Sequence, residues 1–519
     1  MQTLWDIIYG AILYVDGLVW GAPVILMLFA GGILFSIMGG FHQIRKFGIA
    51  WKTMFWKGGA RGEVHPFKIW CMVMGATIGV GNIAGASTAI HLGGPGAVFW
   101  MWICALVGMA TKSFEVTLSV WSRKVLPDGR IQGGTFFYIE KVPVLGGILA
   151  LLFAVFTFIS AYGIGNMIQA NNVAYATEHV IRSYGGGDTE VFYGRLAIGL
   201  IMAFFTALVV IGGVRRIAEA AYILIPFMSA WYIIFGLGIF AMYWYRLPEV
   251  IGNIFRFAFT PAAAFGGLAG WTVYSAIRYG FARGQFSNEA GLGSAPLAYA
   301  FAESDHPGRQ GFYGVFEVFM DTIVLCSITV IHDQLTGALW ERPDLSGAGL
   351  ASESFYRAYG IYAPVLLGVA LGLFAYTTML TWEFYGEQCV WYFFSYRLKL
   401  IPEKVIRWFW RFVWLPPIVF AAVSPELFEA FWDFSDCMNG LMTIPNIIAV
   451  IYLSPVAAKL LKDFYTRHLY ITGELKGKPP ASVPASQILK YYAKDFLRSM
   501  FTPTYVLIKE NMMGRRISK

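Results

Sequence analysis

The chain is dominated by long apolar runs. Eleven of them, each near the roughly 20 residues that span a bilayer as a helix, follow one another through 519 residues. Hydrophobic residues make up 57% of the sequence and charged residues only 13%, against about 25% charge in soluble domains. This pattern predicts an all-α polytopic membrane protein. The predicted spans lie near 18–41, 68–91, 96–119, 145–174, 193–213, 219–244, 264–300, 312–336, 360–386, 406–424 and 428–454.

The connections between these runs alternate in their content of lysine and arginine. The loops at 42–67, 120–144 and 214–218 are rich in both, as is the tail after 454, whereas the intervening connections hold few. The positive-inside rule therefore predicts an N-terminus outside and a C-terminus in the cytoplasm. An odd number of spans requires termini on opposite sides of the membrane, which agrees with this prediction. We expect a multi-pass protein of the cell membrane, with the lipid bilayer as a partner. Because the basic residues lie on one side of the membrane, the net charge of +8 needs no nucleic-acid partner.

One run contains residues that a simple spanning helix avoids. Gly75–Gly85 reads GATIGVGNIAG, with four glycines beside Thr77 and Asn82. Hydrocarbon offers no hydrogen-bond partners, so irregular backbone at this depth survives only against protein or a watery cavity. Such backbone exposes carbonyl oxygens and amide groups. The stretch predicts a broken helix at an ion and substrate site; the alternative is close helix packing through the small pair Gly81 and Gly85.

A second interrupted run reads RYGFARGQFSNEAGLGSAP over 278–296. It contains glycines, two arginines, Glu289 and a final proline, a density of charge that a lipid-facing helix does not carry. Part of it is alternatively a cytoplasmic loop. Two glycine-interrupted spans in corresponding positions are typical of paired broken helices in inverted-repeat proteins.

A third segment, FAYTTMLTW, places Thr377 and Thr378 about one turn beyond Phe374. A free Phe374 carbonyl and two hydroxyls would offer three oxygens to a hard cation such as Na⁺. Alternatively, the hydroxyls bond back to carbonyls of the preceding turn.

Other polar residues lie inside apolar runs. Asp321 must be paired or protonated there, and we expect a structural partner such as a buried arginine, with a proton relay as the alternative. The amide side chains of Gln169, Asn171 and Asn172 either join neighbouring helices or contact a substrate.

Five motifs now carry a resemblance. In order between about residues 15 and 455 the chain contains GATIGVGNIAGASTAIHLGGPGAVFWMW, GIGNMIQANN, RGQFSNEAGLGSAPLA, VFMDTIVLC and GLMTIPN. These resemble signatures of the alanine or glycine:cation symporter family, the sodium:alanine symporters. The family is similar to five-plus-five inverted-repeat amino-acid transporters of the leucine-transporter type. The resemblance implies about 11 transmembrane helices: a 5+5 inverted repeat with two broken helices, plus one extra N-terminal helix.

The resemblance also implies how the chain is divided. Residues 1–67 would hold the extracytoplasmic N-terminus, the extra helix and a basic cytoplasmic loop. The first repeat would cover 68–245 and the second 246–455. Residues 456–519 would form a basic cytoplasmic tail, with a Pro-rich linker at 472–486 and an amphipathic surface helix at 487–510.

The site residues follow from the same resemblance. It implies a Na⁺ site made by the carbonyls of Gly75, Ile78 and Phe374 and the hydroxyls of Thr377 and Thr378. It implies a substrate site around Gly79, Gly81, Asn82, Gln169, Ile277 and Trp382.

The implied activity is import of a small neutral amino acid, such as alanine or glycine, coupled to Na⁺ by alternating access. No cofactor beyond the coupling ion is expected. The chain has no HExxH, GxSxG or GxxxxGK[ST] string, so we do not expect an enzyme. The chain departs from the family pattern at His332, Asp333 and Glu383, and these groups would permit H⁺ coupling. The sequence is also compatible with another small amino-acid-like substrate, and with a nutrient sensor built on a transporter fold.

Overall fold

The computed structural model describes residues 4–60, 62–260, 272–424 and 428–469, together with 472 and 474. The predicted linker and surface helix of the tail lie outside the described residues, apart from 472 and 474. Within the described part the chain is helical, with one antiparallel pair of two-residue strands, Lys124–Val125 and Ile131–Gln132.

Nine helices among the described residues are long and apolar enough to cross a membrane, or ten if one bent pair counts as a span. The predicted run 264–300 is not among them. Its described part holds the 16-residue helix Val273–Asn288 and the short helix Pro296–Tyr299. The nine are Tyr9–Met38, Ala97–Ser122, Gly146–Arg182, Asp188–Val210, Gly213–Met242, Pro307–Leu335, Gly347–Arg397, Glu403–Val423 and Asp433–His468, and the bent pair is Pro66–Thr77 with Gly81–Gly93.

Several long helices are built from shorter pieces, with wide π turns or brief breaks between them. These pieces are Leu4–Val19 and Ala22–Met38; Gly146–Ser160, Ala161–Met167 and Ile168–Ser183; Pro307–Val318, Phe319–Cys326 and Ser327–Leu335; Gly347–Tyr359, Gly360–Tyr362, Ala363–Val390 and Trp391–Arg397; Glu403–Val413 and Leu415–Val423; Phe428–Leu441, Thr443–Asp463 and Phe464–His468. Connecting helices are His42–Arg45, Phe47–Thr53, Thr135–Ile139, Trp244–Arg246, Leu247–Phe259 and Ala338–Glu341.

The first broken helix comprises residues 66–93. Its first half, Pro66–Thr77, ends where Ile78 leaves helical backbone, with ψ at 87°. The chain resumes as a π turn over Gly81–Gly85 and continues as Ala86–Gly93. The two halves are bent by 54°. The break predicted from the glycine stretch is therefore confirmed.

The second broken helix comprises residues 273–299. Its first part, Val273–Asn288, is capped by Thr272, whose hydroxyl accepts from the Ser275 amide at 2.9 Å. It ends at Glu289, which has a left-handed φ of 53°. Gly291 follows with φ at 94°, a conformation that glycine adopts without a steric penalty. This stretch also breaks where the sequence predicts.

The helix Ala363–Val390, which we call the threonine helix, lies at the centre of the molecule. Every residue from Thr377 to Val390 is buried. It packs against Pro66–Thr77 of the first broken helix and against Gly146–Ser160 with its π extension Ala161–Met167. A helix that is covered on all sides along half its length brings its polar groups into contact with other helices rather than lipid.

Candidate functional site

Thr378 joins the threonine helix to the first broken helix. Its hydroxyl lies 2.9 Å from the Gly75 carbonyl and 2.9 Å from the Phe374 carbonyl, and the side chain is 2% exposed. A hydroxyl carries a single proton, which is here shared between two buried carbonyl oxygens. The Gly75 carbonyl belongs to the last turn of Pro66–Thr77, where the helix dipole is negative. Three oxygens and a negative helix end thus converge at one buried point.

Two further residues of the implied Na⁺ site lie beside this point. The Thr377 hydroxyl donates to the Leu373 and Phe374 carbonyls, both at 3.1 Å. In this conformation Thr377 therefore follows the alternative prediction, because its hydroxyl bonds to carbonyls of the preceding turn of its own helix. Ile78 is fully buried and follows Gly75 by three residues, at the point where the first broken helix unwinds.

Gly79 connects the cation residues to Gln169. A Cβ at Gly79 would lie 2.9 Å from the Thr378 hydroxyl and 3.9 Å from Gln169 Oε1. The Gln169 amide nitrogen donates to the Ile164 carbonyl at 3.0 Å, while its Oε1 is buried without a hydrogen-bond partner among the described residues. Gln169 therefore offers an unused acceptor beside the unwound backbone. Its neighbour Asn171 instead joins two helices, donating to the Ala421 carbonyl at 3.1 Å.

Asn82 holds the unwound segment to a buried carboxyl group. Its Oδ1 accepts from the Gly79 amide at 2.9 Å, and its Nδ2 donates to Asp321 Oδ1 at 2.5 Å. Asp321 also accepts from the hydroxyls of Ser287 at 2.9 Å and Thr322 at 2.8 Å. The prediction of an arginine partner for Asp321 is therefore wrong. Neutral donors from both broken helices and from its own helix surround Asp321 instead.

The remaining predicted substrate residues occupy separate positions. Gly81 faces the Phe286 ring, which a Cβ there would meet at 3.5 Å. Trp382 is 1% exposed and lies against Gly165, where a Cβ would come within 2.1 Å of it. Ile277 is half-buried on Val273–Asn288, nine residues before Phe286 and so about 13 Å away along the helix axis. The structure brings Gly79, Gln169 and the cation residues together, and Ile277 lies apart from them.

His332 and Asp333 lie in the last turn of their span, which ends at Leu335, and both face the protein interior. Both are fully buried. The His332 ring lies 3.2 Å from the Tyr232 hydroxyl, which is 2.6 Å from the Thr329 hydroxyl. Thr329 in turn donates to the Asn82 carbonyl at 2.8 Å. A continuous polar path therefore leads from the first broken helix to this histidine.

A buried ionic cluster around the second break escaped the sequence reasoning. Lys112 Nζ lies 3.0 Å from Glu317 Oε1, with both side chains fully buried. Glu115 accepts from the Gly291 amide at 3.2 Å, and Ser294 donates to Glu289. The sequence did contain an indication of this cluster: a lysine and a glutamate lie inside the predicted run 96–119. Ionisable residues within spans are usually paired and functional.

Comparison with known proteins now places the chain. The sequence pattern of the sodium:alanine symporter family matches residues 5–473. The chain belongs to this family. It is 40% identical to the sodium/alanine symporter AgcS of Methanococcus maripaludis, over 87% of this chain and 96% of that one. The resemblance stated from the five motifs is confirmed.

Two Bacillus subtilis relatives illustrate the range of the family. The probable sodium/glutamine symporter GlnT is 34% identical, over 90% of this chain and 92% of that one. The putative sodium/proton-dependent alanine carrier protein YrbD is 33% identical, over 86% and 91%. A solved manganese transporter from Eremococcus coleocola aligns at a TM-score of 0.45 and 14% identity, over 88% of this chain and 99% of that one. Membership of the sodium:alanine symporter family makes the chain a membrane transport protein and not an enzyme.

Proposed function

We propose that this member of the family imports a small neutral amino acid of the alanine or glycine class together with Na⁺. The observation that carries the proposal is the Thr378 hydroxyl, 2.9 Å from both the Gly75 and the Phe374 carbonyl. It links the first broken helix to the threonine helix, which is unbroken at this point. A cation bound at this point would fix the relative position of the two helices.

The donor set suits Na⁺. Hard cations prefer oxygen ligands, and the site offers the Gly75 and Phe374 carbonyls with the Thr378 hydroxyl. At present one proton is shared between two acceptors, so the oxygens have lone pairs to spare. Thr377 would complete the set by turning its hydroxyl away from Leu373. Ile78 would add a carbonyl from the unwound backbone.

The amino acid would bind beside the cation. The second half of the first broken helix begins at Gly81, and a half-helix N-terminus favours a carboxylate. The unused Gln169 Oε1 would accept from the substrate ammonium group. Asn82 holds the backbone of Gly79 in the required shape, and Trp382 limits the volume available to the substrate side chain.

Alternating access follows from this placement. Na⁺ would tie the first broken helix to the threonine helix and order the backbone around the carboxylate, so that cation and amino acid stabilise the same occluded state. The inverted repeats 68–245 and 246–455 remain part of the proposal, and each contains one broken helix. The basic loops support a cytoplasmic C-terminus, and an inward Na⁺ gradient would drive net transport into the cell.

Uptake of labelled alanine into proteoliposomes under an imposed Na⁺ gradient tests the proposal. Thr378→Ala removes the shared ligand, and we expect the Na⁺ concentration for half-maximal uptake to rise at least about tenfold, equivalent to about 1.4 kcal/mol. Alanine uptake that is indifferent to Na⁺ in the unmodified protein would refute the proposed coupling.

Thr381→Ala is the matched control. The Thr381 hydroxyl donates to the Met72 carbonyl at 2.7 Å, so it joins the same two helices one turn further along. Loss of an interhelical hydrogen bond alone would affect both variants equally. Loss of a cation ligand would affect Thr378→Ala alone.

A second candidate is a different small amino-acid substrate or additional coupling to H⁺. The relatives named for glutamine and for sodium/proton-dependent alanine transport favour keeping it. A competition panel of amino acids, run with and without Na⁺ and at two pH values, separates these possibilities. Binding without any flux would instead support a nutrient sensor.

A further inference from the structure

Glu383 is a buried carboxyl group that takes no part in the proposed Na⁺ and alanine sites. It follows Trp382 on the threonine helix and is 1% exposed. Its Oε1 is buried without a hydrogen-bond partner among the described residues. Its backbone carbonyl is fixed by the Trp410 indole, which donates to it at 3.0 Å. The backbone at Glu383 is thus fixed, while one oxygen of its buried carboxyl group has no hydrogen-bond partner among the described residues.

The contrast with Glu387, one helical turn further on, is informative. Arg407 Nη1 lies 2.6 Å from Glu387 Oε1, and Arg411 Nε lies 2.5 Å from its Oε2. Arg407 also binds Glu403 at 3.0 Å. Both arginines are therefore engaged by carboxylates other than Glu383. Both carboxylate oxygens of Glu387 are therefore paired with an arginine, whereas Glu383 has no arginine partner among the described residues.

The ionisable groups facing Glu383 come from three elements. Glu387 is on its own helix, Arg407 and Arg411 are on Glu403–Val413, and Tyr162 is on the π segment Ala161–Met167. Tyr162 is neutral at physiological pH, and the two arginines are matched by Glu387 and Glu403. An ionised Glu383 would add an uncompensated negative charge in a buried site, which is strongly unfavourable. The neutral acid is the form that this conformation accommodates.

Glu383 also lies between the proposed transport site and a route to water. Thr378 precedes it by five residues, about 7.5 Å along the helix axis. On the other side, the Arg407 and Arg411 side chains are 20% and 14% exposed. Separation of the threonine helix from Glu403–Val413 would let water reach Glu383 past the two arginines. Water would then solvate the carboxylate, which favours release of the proton.

We propose that Glu383 is a proton-binding site coupled to transport. The carboxyl group is protonated in the conformation described here. On opening to the cytoplasm its O–H bond breaks, the proton passes to water beside Arg407 and Arg411, and the carboxylate is reprotonated from the outside in the next cycle. One H⁺ thus enters with each amino acid. This inference rests on the proposed function for its substrate and its direction.

Proton movement can be measured directly in proteoliposomes that contain a trapped pH-sensitive dye. With a Na⁺ gradient in place, we expect added alanine to acidify the lumen in the unmodified protein. Glu383→Gln should abolish this acidification, and its remaining alanine uptake should no longer respond to a pH gradient. Glu249→Gln, a charge-matched change at an exposed glutamate, should behave like the unmodified protein.

The outcomes separate the two proposals. Alanine entry with Na⁺ but without luminal acidification overturns the proton site and leaves the Na⁺ symport intact. Acidification that persists in Glu383→Gln also overturns it. If alanine does not enter at all, the proposed function fails, and the proton on Glu383 is decided by a second measurement.

That second measurement is the infrared difference spectrum between the unmodified protein and each variant at neutral pH, with no amino acid present. The C=O stretch of a protonated carboxyl group should be lost in Glu383→Gln and retained in Glu249→Gln, which leaves Glu383 in place. A Glu383→Gln difference spectrum that lacks this band overturns the proposal.

Discussion

Gly79 lies where the cation and amino-acid parts of the proposed site meet, and it tests both. A Cβ there would stand 2.9 Å from the Thr378 hydroxyl, closer than real Cβ contacts allow. We expect Gly79→Ala to push Thr378 out of line with the Gly75 and Phe374 carbonyls. Na⁺-dependent alanine uptake should fall at least about tenfold, equivalent to about 1.4 kcal/mol, as measured by initial rates in proteoliposomes.

Gly85→Ala serves as the control for Gly79→Ala. It belongs to the same glycine stretch, but nothing lies within 4 Å of a Cβ at this position, so uptake should stay close to that of the unmodified protein. If both variants lose uptake equally, the glycines are needed for the flexibility of the broken helix and not to leave space for ligands. If Gly79→Ala transports normally, the proposed arrangement is wrong.

At the scale of elements, the sequence predicted the breaks because their cause is local. Four glycines within Gly75–Gly85 weaken a helix whatever surrounds it. The partners across the breaks were not predictable in the same way. Asn82 and Asp321 are 239 residues apart, and an aspartate inside an apolar run indicates only that some partner exists. An arginine was expected because one cation satisfies a carboxylate at once; three neutral donors achieve this from separate positions.

Glu383 shows the same limit. Its place after Trp382 marks it as unusual, but the sequence contains two nearby arginines that would neutralise it. Only the structure shows that Arg407 and Arg411 bind Glu387 instead. Which of two glutamates one turn apart is paired depends on how the helix Glu403–Val413 is placed, and nothing local to the sequence determines that.

A junction of charged groups lies where the helix Pro307–Val318 begins. Arg309 is fully buried and binds Asp305 at 2.6 Å and Glu474, at the base of the tail, at 2.6 Å. The His306 ring lies 3.2 Å from Asp463 Oδ2, and its Nδ1 accepts from the Gly308 amide at 3.0 Å. A nitrogen that accepts carries no proton, so His306 is in its neutral form here.

This junction should loosen as the pH falls. Burial lowers the pKa of His306 below its ordinary value of 6.5. Its contribution to stability is therefore full above pH 6.5 and is lost as the pH falls through the lowered pKa. Burial works to raise the pKa of Asp305, but hydrogen bonds from His468 and Arg309 hold it below its ordinary 3.8, so its contribution is lost only in stronger acid. Hydrogen exchange around 305–310, corrected for the intrinsic rate, should accelerate between pH 7 and pH 5.

His306→Gln is the control for this pH dependence, since glutamine does not titrate. Its exchange should be faster than in the unmodified protein at pH 7 and should change little down to pH 5. Equal protection at pH 7 and pH 5 in the unmodified protein would show that neutral His306 does not stabilise the junction.

At the scale of the whole molecule, the apolar runs gave the helices because hydrophobic length is a property of the sequence alone. Ten of the eleven predicted runs have a counterpart among the long helices and the bent pair. The eleventh, 264–300, has no such counterpart: residues 264–271 lie outside the described residues, and its described helix Val273–Asn288 has 16 residues.

The orientation of the molecule is still a prediction, and the chain is well suited to test it. Its five cysteines are buried and free, so an impermeant maleimide should find little background. Val144 is 97% exposed at the end of the basic connection 120–144, and Tyr184 is 89% exposed in the connection 175–192.

Positive charge on the cytoplasmic side places these two loops on opposite faces of the membrane. Tyr184→Cys should therefore label in intact cells, and Val144→Cys only after permeabilisation. The reverse pattern would invert the molecule, and with it the direction of proton release from Glu383. Labelling of both from one side would mean that Gly146–Arg182 does not cross the membrane.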